Sequence, residues 1–195
     1  MEIADDWPEY AVGHKDSLFA IGVASSNFAA LETVLHFIFA TALDLTEENS
    51  ETIASKLGAE AVIILTRQKL DKLNWPPEIK DRTLHFLKGF DICLANRNHL
   101  MHSEISWVMG AHKTEKTFLF KRTKKGELHM AAPKLPELRR VADSMMIFTH
   151  YGRRLGNWIN NHSTDPPTFP DAAFPLPDKP ALPHSLDYSP DPQPL

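Results

Sequence analysis

Residues 77–104 read PEIKDRTLHFLKGFDICLANRNHLMHSE, and the periodicity of this stretch decides the fold. Pro77 suits the first position of a helix, where its missing N–H costs nothing, and Glu78 suits the positive helix pole beside it. Leu87, Phe90, Leu94, Arg97 and Met101 then recur in alternating steps of three and four, the spacing of one helical face. Arg97 is thereby expected on a core-facing stripe. An unpaired buried guanidinium is costly, so that position calls for a carboxylate or a partly open cleft.

Toward the N-terminus the same logic finds the counterpart. Residues 1–15 form a lead-in, with Trp7 pinned on the body and Pro8 at a turn. Asp16 or Ser17 can cap a first long helix running to about Leu43. Its stripe is Leu18, Ile21, Ser25, Phe28, Glu32, Leu35 and Phe39, and Glu32 stands where an apolar residue belongs. Glu32 and Arg97 are therefore expected to lie close enough to interact. Thr46 can cap a second helix, which carries Ile53, Leu57, Ala61, Ile64 and Leu65 and continues through Leu70 and Leu73. Pro76-Pro77 must break it.

After Glu104 the period changes from helical to alternating. Residues 105–109, 117–122 and 127–130 read as short strands, with Lys124-Lys125-Gly126 as a tight turn. Pro133 and Pro136 reopen a helix with the stripe Leu138, Val141, Met145, Phe148, Gly152, Leu155 and Ile159. From Asp165 the chain holds ten prolines and little that can build a core. The expected fold is mainly α: a four-long-helix up-and-down bundle with a small β-meander between the third and fourth helices. The helical domain is placed at 1–164, with its β insertion at about 105–131. Residues 165–195 are a Pro-rich extended or disordered tail, with Phe169 and Phe174 as its points of contact with the body.

Composition narrows the class. The single cysteine, Cys93, excludes an intrachain disulfide and fits a reducing compartment. No basic-then-apolar leader opens the chain and no apolar run is read as reaching the roughly 20 residues of a membrane span, so the expectation is a cytoplasmic protein without membrane contact. The net charge of −4 resides in the tail, which leaves a neutral body. Within that body Lys113, Lys116, Lys121, Arg122, Lys124 and Lys125 form a basic run. It is either a solvated hairpin or a guide for a phosphate backbone, with Lys121, Arg122, Lys124 and Lys125 as candidate RNA contacts. No metal cluster and no cofactor signature is read from the residues.

The functional signal is the hexapeptide Arg97-Asn98-His99-Leu100-Met101-His102 at the end of the third helix. An Arg, four residues and a His, with Asn directly after the Arg, resembles the active-site signature of HEPN domains. Those are small helical bundles, many of them metal-independent ribonucleases that join two signatures across a dimer. A second Arg…His pair, Arg122 and His129, falls in the predicted hairpin rather than at a helix end. The resemblance covers roughly residues 16–161 and implies an endoribonuclease acting on RNA as a homodimer, in prokaryotic defence or with an antitoxin.

The chemistry asks for these residue types. RNA cleaves when its 2′-hydroxyl attacks the adjacent phosphorus, a base takes the proton and an acid protonates the leaving oxygen. Imidazole does either job near neutrality, and a fixed guanidinium stabilises charge on the phosphoryl oxygens. Arg97 and His102 are thus catalytic candidates, Asn98 would orient His102 or the phosphate, and Glu32 would hold Arg97. On a continuous helix Arg97 and His102 lie about 140° apart. Hence Arg97 curls round, or the helix loosens near Ser103, or a second subunit completes the site. A structural account also stands: Arg97 as the ion-pair partner of Glu32, His102 as a helix-end cation, His99 as an exposed surface histidine and Cys93 as inert packing. In that account the chain is a non-catalytic helical module for dimerisation or partner binding.

Overall fold

Helix α1, Lys15–Leu43, is the element on which the others pack: it lies most extensively against α5, Leu135–Asn161, and also meets α2, Glu47–Ala54, α3, Ala59–Leu70, and α4, Pro77–Met101. The computed structural model describes residues 14–54, 56–109, 115–122, 126, 128–161, 175–178 and 184–185. Within these the protein is mainly helical with a small antiparallel sheet.

The expected second helix is two helices. Gly58 leaves the helical path in an extended conformation, φ −70° and ψ 156°, and α3 restarts immediately after it. Glycine forfeits the most conformational freedom in a helix, so the break falls there rather than at a residue with a side chain. Thr46 caps α2 as expected, its Oγ1 accepting from the Asn49 N–H at 3.4 Å. Helix α1 closes on Asp44 in the left-handed region, φ 54°, with the Leu45 N–H donating to the Ala40 carbonyl.

The buried stripes keep part of what the spacing predicts, Ile21, Phe28, Leu35 and Phe39 on α1 and Leu87 and Phe90 on α4, but they are broader and leave out its other members. On α1 the core-facing residues include Ala20, Ala24, Phe28, Leu31, Leu35, Ile38 and Ala42, whereas Ser25 is exposed and Glu32 half-buried. On α4 they include Phe86, Phe90, Cys93, Asn96 and Leu100, leaving Leu94, Arg97 and Met101 half-buried. Each charged anomaly therefore stands at the half-buried edge of its face rather than in the core. Burial also pushes the Cys93 thiol up to about 12, which keeps it protonated and non-nucleophilic.

Helices α4 and α5 approach closely at a glycine on each. A Cβ added at Gly89 would come within 1.8 Å of Phe148 Cε1, so the ring fills the space that a side chain would take. Gly152 plays the same part beneath the Phe86 ring, at 2.4 Å. Phe86 and Tyr151 stack with centroids 6.5 Å apart, and the Tyr151 hydroxyl donates to the Arg82 carbonyl at 3.1 Å.

Strands β1, Glu104–Met109, β2, Glu115–Arg122, β3, Leu128–Ala131, and β4, His184–Ser185, form one sheet in that order, each pair antiparallel. Alternation along β2 puts Thr117 and Leu119 against the helices; the Thr117 hydroxyl donates to Ser17 Oγ at 3.0 Å. Phe118, Phe120 and Arg122 take the opposite face. Residues 175–178 also touch the body: Pro177 is buried, and Asn96 Nδ2 donates to the Asp178 carbonyl at 3.0 Å. Trp7, Phe169 and Phe174 lie outside the described residues.

One expectation is corrected here. Helix α1 has 29 residues and an 18-residue window of mean hydropathy 1.5, long and apolar enough by length and composition to cross a membrane. Its polar residues are small and scattered, so no charge interrupts the run between Asp16 and Glu32. Leu31, Leu35, Ile38 and Phe39 of this helix are fully buried among the other helices.

Candidate active site

Helix α4 ends at Met101, and His102 follows as its C-cap with φ −105° and ψ 14°, its N–H still donating to the Asn98 carbonyl at 3.2 Å. The helix thus loosens at His102 itself, one residue before Ser103. That departure swings the imidazole toward Arg97, whose Nη1 lies 3.4 Å from His102 Nε2. The same Nη1 donates to Asn98 Oδ1 at 3.0 Å. Arg97, Asn98 and His102 are therefore brought together within one chain. A guanidinium can only donate, so Nε2 must offer its lone pair in this contact, leaving any proton on Nδ1.

The guanidinium rests on α1. Its Cζ sits 5.8 Å from the centroid of the Phe28 ring, within the range of a cation–π contact. Glu32, one turn further along α1, makes no hydrogen bond or ion pair with Arg97 among the described residues, whose partners are Asn98, His102 and Phe28. The expected carboxylate clamp is replaced by an aromatic floor and a neighbouring amide. The cause is the edge position of both residues, where a long side chain lies along the apolar surface while its head stays wet.

His99 differs from its expected exposed state. It is half-buried, and burial first and the Lys121 ammonium second hold its pKa below the ordinary imidazole value. Its carbonyl accepts from Ser103 Oγ at 2.5 Å. A lowered folded-state pKa means the unfolded chain takes up the proton first as pH falls. His99 accordingly contributes stability above pH 6.5 that is lost as pH falls through its folded value. Lys121→Met is expected to raise the His99 midpoint part of the way back in an NMR titration of the imidazole protons, since burial remains. An unchanged midpoint would show that Lys121 does not act on it.

Lys121 and Arg122, the members of the basic run whose side chains are described, do not share a face. Lys121 is on the helix-facing side of β2, near His99, whereas Arg122 is exposed on the other face with a long 3.5 Å contact from Nη1 to the Gly126 carbonyl. Lys124 and Lys125 lie outside the described residues. The second Arg…His pair is separated likewise: β2 and β3 pair Arg122 with Leu128 and Lys121 with His129, so Arg122 and His129 occupy opposite faces.

Among the described residues no three His, Cys, Asp or Glu side chains converge as metal ligands would. A cleft of about 910 Å³ lies between the C-terminal ends of α1 and α5 and the α3–α4 connection, lined by Phe37, Asp44, Lys69, Trp75 and Asn160 among others. None of the candidate site residues borders it.

No family model, no curated protein and no solved structure matches this chain. The reading of the site therefore rests on its geometry. Sequence reasoning passed over Phe28 as a site residue, and its place four residues before Glu32 on the same face was the available signal.

Proposed function

We propose that the chain is a metal-independent endoribonuclease of HEPN type that cleaves RNA by attack of the 2′-hydroxyl on the adjacent phosphorus. The observation that carries this reading is the convergence of Arg97 Nη1 on Asn98 Oδ1 and His102 Nε2 at 3.0 and 3.4 Å, with His102 exposed at the open end of a helix. In it, Arg97 holds a phosphoryl oxygen, Asn98 fixes the guanidinium, and the His102 imidazole moves the proton at the attacking or leaving oxygen. The last carbonyls of α4 carry partial negative charge, which disfavours a phosphate there. Arg97 and the nearby Lys121 supply the opposing charge.

In this reading the helices form an up-and-down bundle, two copies of the chain pair their α4 ends into one cleft, and the protein works in the cytoplasm, in defence or beside an antitoxin. The test is incubation of purified protein with RNA in EDTA. Cleavage leaving 2′,3′-cyclic phosphate ends, with sedimentation showing a dimer, is the expected result. Intact RNA at every protein concentration, or cleavage abolished by EDTA, would overturn it.

The second reading, a non-catalytic module for dimerisation or partner binding, draws on exposed apolar side chains: Phe19 at 74%, Ile64 at 53% and Leu84 at 44%. Under it the same incubation yields no products and the protein still self-associates.

A further inference from the structure

The outward face of the sheet breaks the usual pattern. A small sheet with one face on the core alternates apolar-in and polar-out. Here β2 carries Thr117 and Leu119 inward, yet Phe118 and Phe120 stand at the outward positions, both half-buried, with Leu128 and Met130 beside them on β3. The two phenylalanine rings stack on one another, centroids 6.2 Å apart and planes at 30°. Exposed Arg122 is the next outward residue of the row.

The row also has a direction. Glu104 pairs with Phe120, and β2 runs antiparallel to β1, so the Arg122 end of the row is the end of the sheet at which α4 hands over to β1. Phe118, Phe120 and Arg122, spaced about 7 Å apart along the strand, thus form a line of two rings and a cation that runs toward the α4–β1 junction bearing His102.

We infer that this outward face binds single-stranded RNA, with bases stacked on Phe118 and Phe120 and a phosphate held by Arg122, and so delivers the strand to His102. The inference rests on the ribonuclease reading for its direction, while the chemistry of the face argues for the occupant. Aromatic rings take bases of any sequence on their π-faces, and an adjacent guanidinium meets the backbone charge. An aliphatic face with no cation would have suited a second protein surface better. Glu104, exposed beside Phe120, repels phosphate and confines the backbone to the Arg122 side of the row.

The probe is a fluorescent oligoadenylate of about ten nucleotides carrying 2′-O-methyl groups, which cannot undergo 2′-hydroxyl attack. Its binding, followed by anisotropy, reports on capture of the strand without its cleavage. Phe118→Leu and Phe120→Leu keep the apolar bulk and the fold; each is expected to weaken binding roughly tenfold by removing a stacking surface. Arg122→Met should weaken it and reduce the slope of affinity against salt by about one contact. Asn160→Ala, in the cleft that none of the site residues borders, should bind the probe as the wild type does. Binding equal in the leucine variants and the wild type would overturn the inference. So would no binding by the wild type, or variants that change only the oligomeric state, which would mark a contact between copies. Probe binding lost in the leucine variants but no cleavage of ordinary RNA by the wild type would retain the face and remove the nuclease reading. Cleavage that the leucine variants leave unchanged would do the reverse.

Discussion

Arg97→Ala and His102→Ala are each expected to lower RNA cleavage by roughly 10²–10⁴-fold with the fold intact. His102 is exposed and Arg97 half-buried at the edge of its helix, so neither truncation opens the core. The main structural loss in Arg97→Ala is the contact over Phe28, worth about 0.5–1 kcal/mol at a partly exposed site. Arg97→Lys should recover little activity. An ammonium is a point charge without the planar fork that lies on the ring and reaches Asn98 and His102 together. Asn98→Ala should be milder, because it frees the guanidinium without removing it. If the two groups act as a unit, the double variant will be hardly slower than the worse single one. The measurement is a single-turnover cleavage assay with circular dichroism on every variant. Wild-type rates throughout would reduce the pair to a helix-end ornament and leave the interaction-module reading in possession.

Phe148→Ala should be the most damaging single truncation to stability, by about 3–5 kcal/mol, which in a chain of this size lowers the melting temperature by roughly 10 °C. Phe148 has no exposed surface and sits in the gap left by Gly89, so the void opens between α4 and α5 themselves. Gly89→Val reaches the same contact from the other side. Its side chain meets the Phe148 ring, and overpacking costs about 1–3 kcal/mol. Because one substitution empties the space that the other fills, their combination should cost less than the sum of the two. Thermal unfolding of the three variants decides it. Simple additivity would mean that ring and glycine are not in the contact described.

Much of this was legible in the residues, and the failures have physical causes. Pro77, the period-two stretch after Glu104 and the apolar spacing of α5 all speak through local chemistry, and the corresponding elements stand where that chemistry puts them. The stripes of α1 and α4 were caught only in part, Phe28, Leu35 and Phe90 among them, because three-four spacing fixes which residues share a face, not where the middle of that face lies. Ala24, Leu31 and Asn96 belong to the same broad faces, yet Ala and Asn carry weak signals, and Glu32 and Arg97 drew the line toward themselves. The Glu32–Arg97 pairing followed from that displacement. The break at Gly58 was missed because the apolar pattern runs through it from Ile53 to Leu65. The approach of Arg97 to His102 rests on a single departure from helical geometry at the cap, which residue spacing left open among three arrangements.

The junction after α4 has a mechanical side. His102 and Ser103 alone separate the last residue of the helix from the first residue of β1. One neighbour is held in the helical ladder and the other is paired with Phe120, so the connection has no slack. The imidazole therefore stands on the two-residue joint between helix and sheet, so a substitution that repacks the strands against the helices bears directly on the separation of the two nitrogens.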